Sequence, residues 1–221
     1  ICFFSSFSVL ILYLLAQELY GNKMVSFIIS LFYAFSWASF SRTVIGYQYE
    51  DFALPFIFMS FLFFIKSLNS TKTLLYPILT GGAIVVSLLS WHFSRFYFSI
   101  FVIICIFCYF RYKPYQPAFE RVLGVILCFC LAAAVLSPDL RAKAFILSLP
   151  MDILYSFWLF VLLGRYKISI FWKALSASVF AVLLLLIAKF AGIEGEYSHV
   201  YATFFYKLIN FFHWRNYYIV F

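Results

Sequence analysis

The residues of this chain best suited to chemistry are two adjacent carboxylates, Glu50 and Asp51. They close a short polar stretch, residues 41–51, which lies between two long apolar runs. The 221-residue chain has only eight Asp and Glu, and ionisable groups at the edge of a bilayer are costly and usually functional. We therefore interpret the pair as ligands for a divalent metal ion, since Mg²⁺ and Mn²⁺ prefer carboxylate oxygens. The alternative is a solvated pair at a helix start, where the macrodipole favours acids.

Other polar residues could complete such a site. Arg42 either binds a phosphate bidentately or anchors a span at the lipid headgroups. Glu196 and His199, in the stretch 194–199, are either further ligands from a second loop or part of a polar connector.

Four more residues have a functional and a structural interpretation. His92 and Arg95 either contact a substrate or belong to an interfacial belt of aromatic and basic side chains. Asp152 follows Pro150 by two residues and is either a cap-like acid in the first turn of a helix or a buried functional acid. Asp139 is expected to pair locally within a turn, with the arginine two residues later, rather than to take part in catalysis.

The elements that must position these residues are membrane helices. The chain is 66% hydrophobic and 11% charged, whereas an ordinary soluble domain is about 45–50% apolar and about 25% charged. The apolar runs are continuous and lack the alternation of a barrel wall. We therefore expect an all-α polytopic membrane protein, a multi-span helical bundle with short loops.

A membrane span needs about 20 residues, so the length allows about eight spans. The apolar runs predicted to cross are 1–16, 24–40, 52–65, 74–90, 96–110, 122–136, 144–163 and 168–191. Among the connections, we expect a turn at 21–23 and a polar loop at 66–72. Residues 200–212 carry aromatic and aliphatic side chains at helical spacing, which predicts a terminal interfacial helix.

The net charge of +8 does not indicate a nucleic-acid partner, because the Lys and Arg are scattered at span ends. They are better explained as topology signals and contacts to membrane lipids. The five cysteines lie inside apolar runs and are expected to be small buried hydrophobes rather than metal ligands.

Alternating the loops across the bilayer separates the acids by side. The side with more Lys and Arg, including the loop 111–121 and Arg165, is expected to be cytoplasmic, and Arg95 falls on the opposite side. Of the acids, only Glu18 and Glu120 fall on the cytoplasmic side, as does the sequon at Asn69, which we expect to be unmodified. The other acids and all three histidines fall on the outer side: Glu50, Asp51, Asp139, Asp152, Glu194, Glu196, His92, His199 and His213.

The segment Ser41-Arg42-Thr43, followed by Gly46-Tyr47, the acids and Ala53-Leu54-Pro55, resembles the catalytic subunit family of oligosaccharyltransferases. Bacterial and archaeal members of that family are single-subunit enzymes of the GT-C glycosyltransferase fold. The resemblance is best over residues 5–111 and weaker at 196–201. It implies transfer of a glycan from a polyprenyl or dolichyl (di)phosphate to asparagine in Asn-x-Ser/Thr of an acceptor protein, with Mn²⁺ or Mg²⁺ beside the lipid phosphate.

The resemblance also assigns roles to individual residues. Asp51 matches the second acid of the family's motif, as a catalytic metal ligand. The family's first acid falls on Tyr49, which cannot replace a carboxylate, so we expect the adjacent Glu50 to take that role. Glu196 best matches the family's later catalytic glutamate, with His199 as a further metal ligand. The residues expected to contact the donor substrate are Arg42, Tyr49, His92 and Arg95.

In that family a further acidic motif and span precede the matching region, and a soluble acceptor-reading domain follows it. The resemblance therefore implies that residues 1–221 are a partial transmembrane domain, inactive alone. We expect its active loops on the outer face of a prokaryotic cell membrane, or in the endoplasmic reticulum membrane of a eukaryote. Two alternatives stay open: another GT-C transferase that uses a polyprenyl-monophosphate sugar, with a protein or lipid acceptor, and a non-enzymatic transporter of a lipid-linked sugar.

Overall fold

The computed structural model of the chain describes residues 2–36, 49–69, 74–90, 94–111, 116–166 and 168–190. This part of the chain is entirely helical and contains nine α-helices and two short 3₁₀ segments. The α-helices are α1 (Cys2–Tyr20), α2 (Lys23–Phe35), α3 (Tyr49–Asn69), α4 (Leu75–Ser90), α5 (Ser94–Arg111), α6 (Gln116–Leu136), α7 (Pro138–Ala142), α8 (Leu149–Leu162) and α9 (Ile170–Phe190). The 3₁₀ segments are Phe145–Leu147 and Leu163–Arg165.

Four of these helices, α3, α5, α6 and α9, are long and apolar enough to cross a membrane. Shorter apolar helices are formed by Ser6–Tyr20 within α1, by α2 and by α4. At 1.5 Å per residue, the 16 residues of α4 extend about 24 Å, somewhat less than a hydrocarbon core of about 30 Å. The chain is therefore a multi-pass membrane protein, with fewer full-length spans among the described residues than the eight expected.

Several predicted boundaries were wrong, because helices continue into polar residues at the membrane edge. The stretch 66–72 was expected to be a loop, yet α3 continues through Lys66 to Asn69. The predicted loop 111–121 contains the first turn of α6, which begins at Gln116. Long basic side chains keep their charge in water while their stems cover apolar surface, so a charged residue need not end a helix.

The predicted seventh run, 144–163, was also wrong as a single span. It is divided into the 3₁₀ segment Phe145–Leu147 and the 14-residue α8. Ala144 takes a left-handed conformation with φ of 45°, which interrupts the helical path. Pro150 lies in the first turn of α8, where its missing N–H needs no partner.

The turn predicted at residues 21–23 is confirmed at the first two positions. Gly21 has φ of +64°, a conformation that glycine adopts without strain. Asn22 then caps α2, because its side-chain oxygen accepts hydrogen bonds from the backbone N–H of Met24 at 2.9 Å and of Val25 at 3.3 Å. The two helices on either side of this turn pack together as a hairpin.

Helix α3 holds the bundle together, because α1 and α4 pack on it and α5 and α6 also contact it. Helix α8 packs against α5 and α6, and α9 packs against α8. The largest core cluster contains Phe64 and Phe119, whose rings meet edge to face at 5.8 Å. Cys105 and Cys130 are fully buried in this cluster, as the sequence predicted. Cys108 is only half-buried and Cys128 is exposed, so the expectation of a buried cysteine was wrong for Cys128, which faces away from the core.

The packing of α4 against α6 depends on Gly81. A Cβ at this position would lie 2.9 Å from Cγ of the Phe129 ring, whereas a Cβ at Gly82 meets Phe129 only at 4.0 Å. We expect Gly81→Ala to lower the free energy of unfolding by about 1–3 kcal/mol through overpacking. The control Gly82→Ala should be neutral or raise it by up to about 1 kcal/mol through helix propensity.

The measurement is reversible unfolding in mixed micelles, with denaturing detergent as the titrant. Equal stability of the two variants would show that α4 and α6 do not approach as closely as Gly81 and Phe129 indicate.

Candidate functional site

The predicted carboxylate pair lies at the beginning of a helix. Tyr49, Glu50 and Asp51 form the first three residues of α3. The sequence had placed all three in a loop, so the helix begins earlier than expected. The partial positive charge of a helix N-terminus stabilises anions there, which agrees with the alternative interpretation of the pair as acids at a helix start.

The other predicted site residues are divided between described and undescribed segments. Arg42, His92, Glu196 and His199 lie outside the described residues, so their predicted roles stay predictions. Arg95 lies in the first turn of α5. The beginnings of α3 and α5 are adjacent, because Tyr97 packs against the cluster of Ala53, Leu54 and Ile57. The structure therefore brings the first turn of α3 and the first turn of α5 to the same end of the bundle.

Arg95 is held in an ion pair that the sequence did not predict. Its side chain is only 3% exposed, and its Nη2 donates a hydrogen bond to Oδ2 of Asp139 at 3.0 Å. Lys143 Nζ lies 3.1 Å from the second carboxylate oxygen. We call Arg95, Asp139 and Lys143 the charge cluster. A buried arginine needs such a partner, because removing its charge from water is otherwise costly.

The short helix α7 positions the acid of this cluster. Ser137 caps α7 by accepting a hydrogen bond from the backbone N–H of Leu140 at 3.4 Å, and Pro138 occupies the first turn. Leu140 is buried in the main core and anchors α7 to the bundle. The Asp139 side chain is 63% exposed, whereas that of Arg95 is enclosed. The charge cluster therefore presents the Asp139 carboxylate at the surface and keeps the Arg95 guanidinium inside.

Asp139 does pair locally, but its partner is Lys143, four residues later, rather than the expected Arg141, and its pairing with Arg95 spans 44 residues. The signal that could have revealed the second pair was the topology, which placed both residues on the same side.

Polar contacts at the opposite end of the bundle also agree with the predicted sides. Arg165 forms a two-point ion pair with Glu120, with nitrogen–oxygen distances of 2.6 Å. Asn69 Nδ2 donates to Oε1 of Glu18 at 3.2 Å. The sequence assigned these four residues to the side opposite Glu50, Asp51, Arg95 and Asp139.

Asp152 lies in the first turn of α8, as predicted from Pro150. It is only 4% exposed, and its Oδ1 has no hydrogen-bond partner among the described residues. Of the two interpretations from the sequence, a cap-like acid and a buried acid, the position in the first turn agrees with the first and the burial of the carboxyl group agrees with the second.

No group of three or more His, Cys, Asp or Glu in the described part of the chain could hold a metal ion. A site for Mn²⁺ or Mg²⁺ would thus need ligands from other segments as well as Glu50 and Asp51. No protein-family model, curated protein or solved structure matches the chain. The likeness to the oligosaccharyltransferase subunits therefore rests on the motif residues alone.

The charge cluster predicts a measurable contribution of Asp139 to stability. We expect Asp139→Ala to lower the free energy of unfolding by about 1–3 kcal/mol, because it removes a charged hydrogen bond to buried Arg95. The matched change Lys143→Ala, on the exposed side of the same carboxylate, should cost less than about 1 kcal/mol.

Reversible unfolding of both variants in mixed micelles tests this expectation. If Lys143→Ala lowers the free energy of unfolding as much as Asp139→Ala does, the ion pair with Arg95 does not dominate the contribution of Asp139.

Proposed function

We propose that this chain belongs to the transmembrane domain of a metal-dependent glycosyltransferase, which moves a glycan from a polyprenyl or dolichyl (di)phosphate to asparagine of an acceptor protein. The observation that supports this proposal best is the adjacency of two helix beginnings. The first turn of α3 carries Tyr49, Glu50 and Asp51, and the first turn of α5 carries Arg95. Two acidic residues and an arginine in the first turns of adjacent helices suit a phosphorylated lipid whose head lies at the bilayer surface.

The connectivity supports a further part of the proposal. The short helix α7, whose Asp139 pairs with Arg95, precedes α8. Arg165, which pairs with Glu120 at the opposite end of the bundle, follows α8. The chain thus passes from one end of the bundle to the other through α8. Helix α9 packs along α8 and also contacts the 3₁₀ segment that precedes it, so α9 returns. Helix α9 thus ends on the side of the bundle where α3 begins, and Glu196 and His199 follow it in the sequence.

The proposed roles follow from the chemistry of the side chains. Asp51 and Glu50 bind the divalent metal ion, with His199 as a further ligand. Consecutive helix positions differ by about 100°, so the two acids alone do not enclose an ion. When bound, Mn²⁺ or Mg²⁺ neutralises charge on the departing phosphate. Arg42, Tyr49 and His92 contact the donor, and Glu196 orients the acceptor amide by hydrogen bonding.

Arg95 differs from the other proposed donor-binding residues, because its guanidinium is enclosed and already paired with Asp139. In the proposal it raises the electrostatic potential near the donor phosphate rather than donating hydrogen bonds to it. Direct contact with the donor would require the charge cluster to rearrange. The role of Arg95 as a donor-contacting residue is therefore the least direct of those proposed.

A second transferase reaction is favoured by one feature of the sequence. Tyr49 stands where the family has its first acid. A GT-C transferase that uses a polyprenyl-monophosphate sugar places less phosphate charge beside the metal site, so it tolerates one fewer acid.

A transporter of lipid-linked sugars is less well supported. It would need charges along a path through the bilayer, whereas the middle third of each described membrane-length helix contains no Asp, Glu, Lys or Arg.

The test of the proposed function compares Mn²⁺-dependent transfer from a lipid-linked glycan to an Asn-x-Ser/Thr peptide by the full-length protein in nanodiscs. Asp51→Ala should reduce transfer by about 100-fold or more, the scale of losing one transition-state stabiliser. Glu120→Gln, an acid at the opposite end of the bundle, is the control and should retain activity.

Transfer that is unaffected by Asp51→Ala would refute the site. If no sequon peptide is glycosylated with either metal, but a monophosphate-linked sugar is transferred, the second reaction becomes the better account of the protein.

A further inference from the structure

An apolar groove lies between α1, α3 and α5, on a part of the molecule that the proposed function does not use. Its volume is about 570 Å³, within the range of about 300–1,000 Å³ that is usual for ligand sites. Helix α3 forms the floor, with Phe61 and Phe64, while Leu15 of α1 and Ile104 of α5 form the walls. Ile104 is partly exposed, so the groove is open toward the surroundings of the bundle.

One end of the groove is polar. Glu18 and Asn69 line it together with the apolar residues, and the Asn69 amide donates to Glu18 at 3.2 Å. No cation pairs with the Glu18 carboxylate among the described residues, in contrast to Glu120 and Asp139, which both have basic partners. An exposed carboxylate at the mouth of an apolar groove complements a positively charged group attached to an apolar chain.

The length of the groove indicates which kind of chain fits. It follows α3 from Phe58 to Asn69, a distance of about 16 Å at 1.5 Å per residue. That is about half of a hydrocarbon core of about 30 Å, the depth of one leaflet. The polar end lies at the last residue of α3, whereas Glu50 and Asp51 lie at its first turn. The groove is therefore oriented for a lipid of the leaflet opposite the proposed metal site.

We propose that this groove binds one acyl chain of an amine-bearing phospholipid, with its ammonium group at Glu18 and Asn69. The helices around it border a bilayer, so the surrounding lipid supplies the chain. The volume accommodates a single acyl chain, and Glu18 selects a primary ammonium, which donates three hydrogen bonds, over a quaternary one, which donates none. This inference does not depend on the proposed transferase activity.

The test uses the full chain in nanodiscs of phosphatidylcholine that contain a small fraction of phospholipid with a photoreactive diazirine in one acyl chain. Two otherwise identical probes, with ethanolamine and choline headgroups, are compared by mass spectrometry of the crosslinked peptides. We expect the ethanolamine probe to label residues 12–19, 58–69 and 104–108 in preference to the choline probe. Residues of α9, which is exposed along most of its length, should be labelled equally by both.

Two pairs of variants assign the preference to the groove. Glu18→Gln should lower the ethanolamine preference roughly twofold to fivefold, the scale of one exposed ion pair, while Glu120→Gln should leave it unchanged. Ile104→Trp should reduce groove labelling by both probes, because a larger side chain narrows the opening. Ile103→Trp, at the exposed neighbouring position outside the groove, is its control and should have no effect.

Three results would overturn the proposal. Labelling of the groove that does not exceed labelling of α9 would show that no chain occupies it. Equal labelling by the two headgroups would remove the role of Glu18. Displacement of the ethanolamine probe by an equimolar polyprenyl phosphate would show that the groove belongs to the donor lipid instead.

Discussion

The structure depends on one constraint, which is that a lipid environment offers no hydrogen bonds and little accommodation for charge. Backbone groups are satisfied within helices, and charged residues collect where helices end. The described ion pairs follow this rule: Arg95 with Asp139 at one end, and Arg165 with Glu120 at the other. The described part of the bundle therefore carries its paired charges at its two ends and keeps the interior between them mostly apolar.

The same constraint explains how small polar residues are tolerated inside. Several hydroxyl groups in the core donate to backbone carbonyls of the preceding turn, as Ser30 does to Ser26, Ser60 to Ile57 and Thr80 to Tyr76. Such a bond satisfies the hydroxyl hydrogen without a partner from another helix. These residues therefore fit between large aromatic side chains and let neighbouring helices approach. The carboxyl group of Asp152 has no equivalent solution, since Oδ1 finds no partner among the described residues.

Much of the fold was readable from the sequence, because apolar runs translate directly into helices. The helix over 75–90, the turn at Gly21 and the helix start near Pro150 followed from composition, backbone preference and proline position. The interruption at Ala144 could not be predicted, because alanine has no preference for positive φ and tertiary packing imposes it. The pairing of Arg95 with Asp139 required knowledge of which helices are neighbours, and periodicity does not supply that. For the candidate site, residue types and sides could be read from the sequence, whereas the adjacency of α3 and α5 and the pairing of Arg95 came from the structure.

The separation of the paired charges has a consequence for the way the protein is made. Arg95 emerges from the ribosome 44 residues before Asp139, and Glu120 emerges 45 residues before Arg165. Helix α5 therefore leaves the translocation machinery with an arginine that has not yet met this partner, and α6 must follow before α7 can reach it. Until then the arginine is best accommodated at the headgroup region, where its charge is less costly. Assembly of this bundle is thus tied to the order of synthesis, and the charge cluster closes only after α5 and α6 have entered the membrane and α7 has been synthesised.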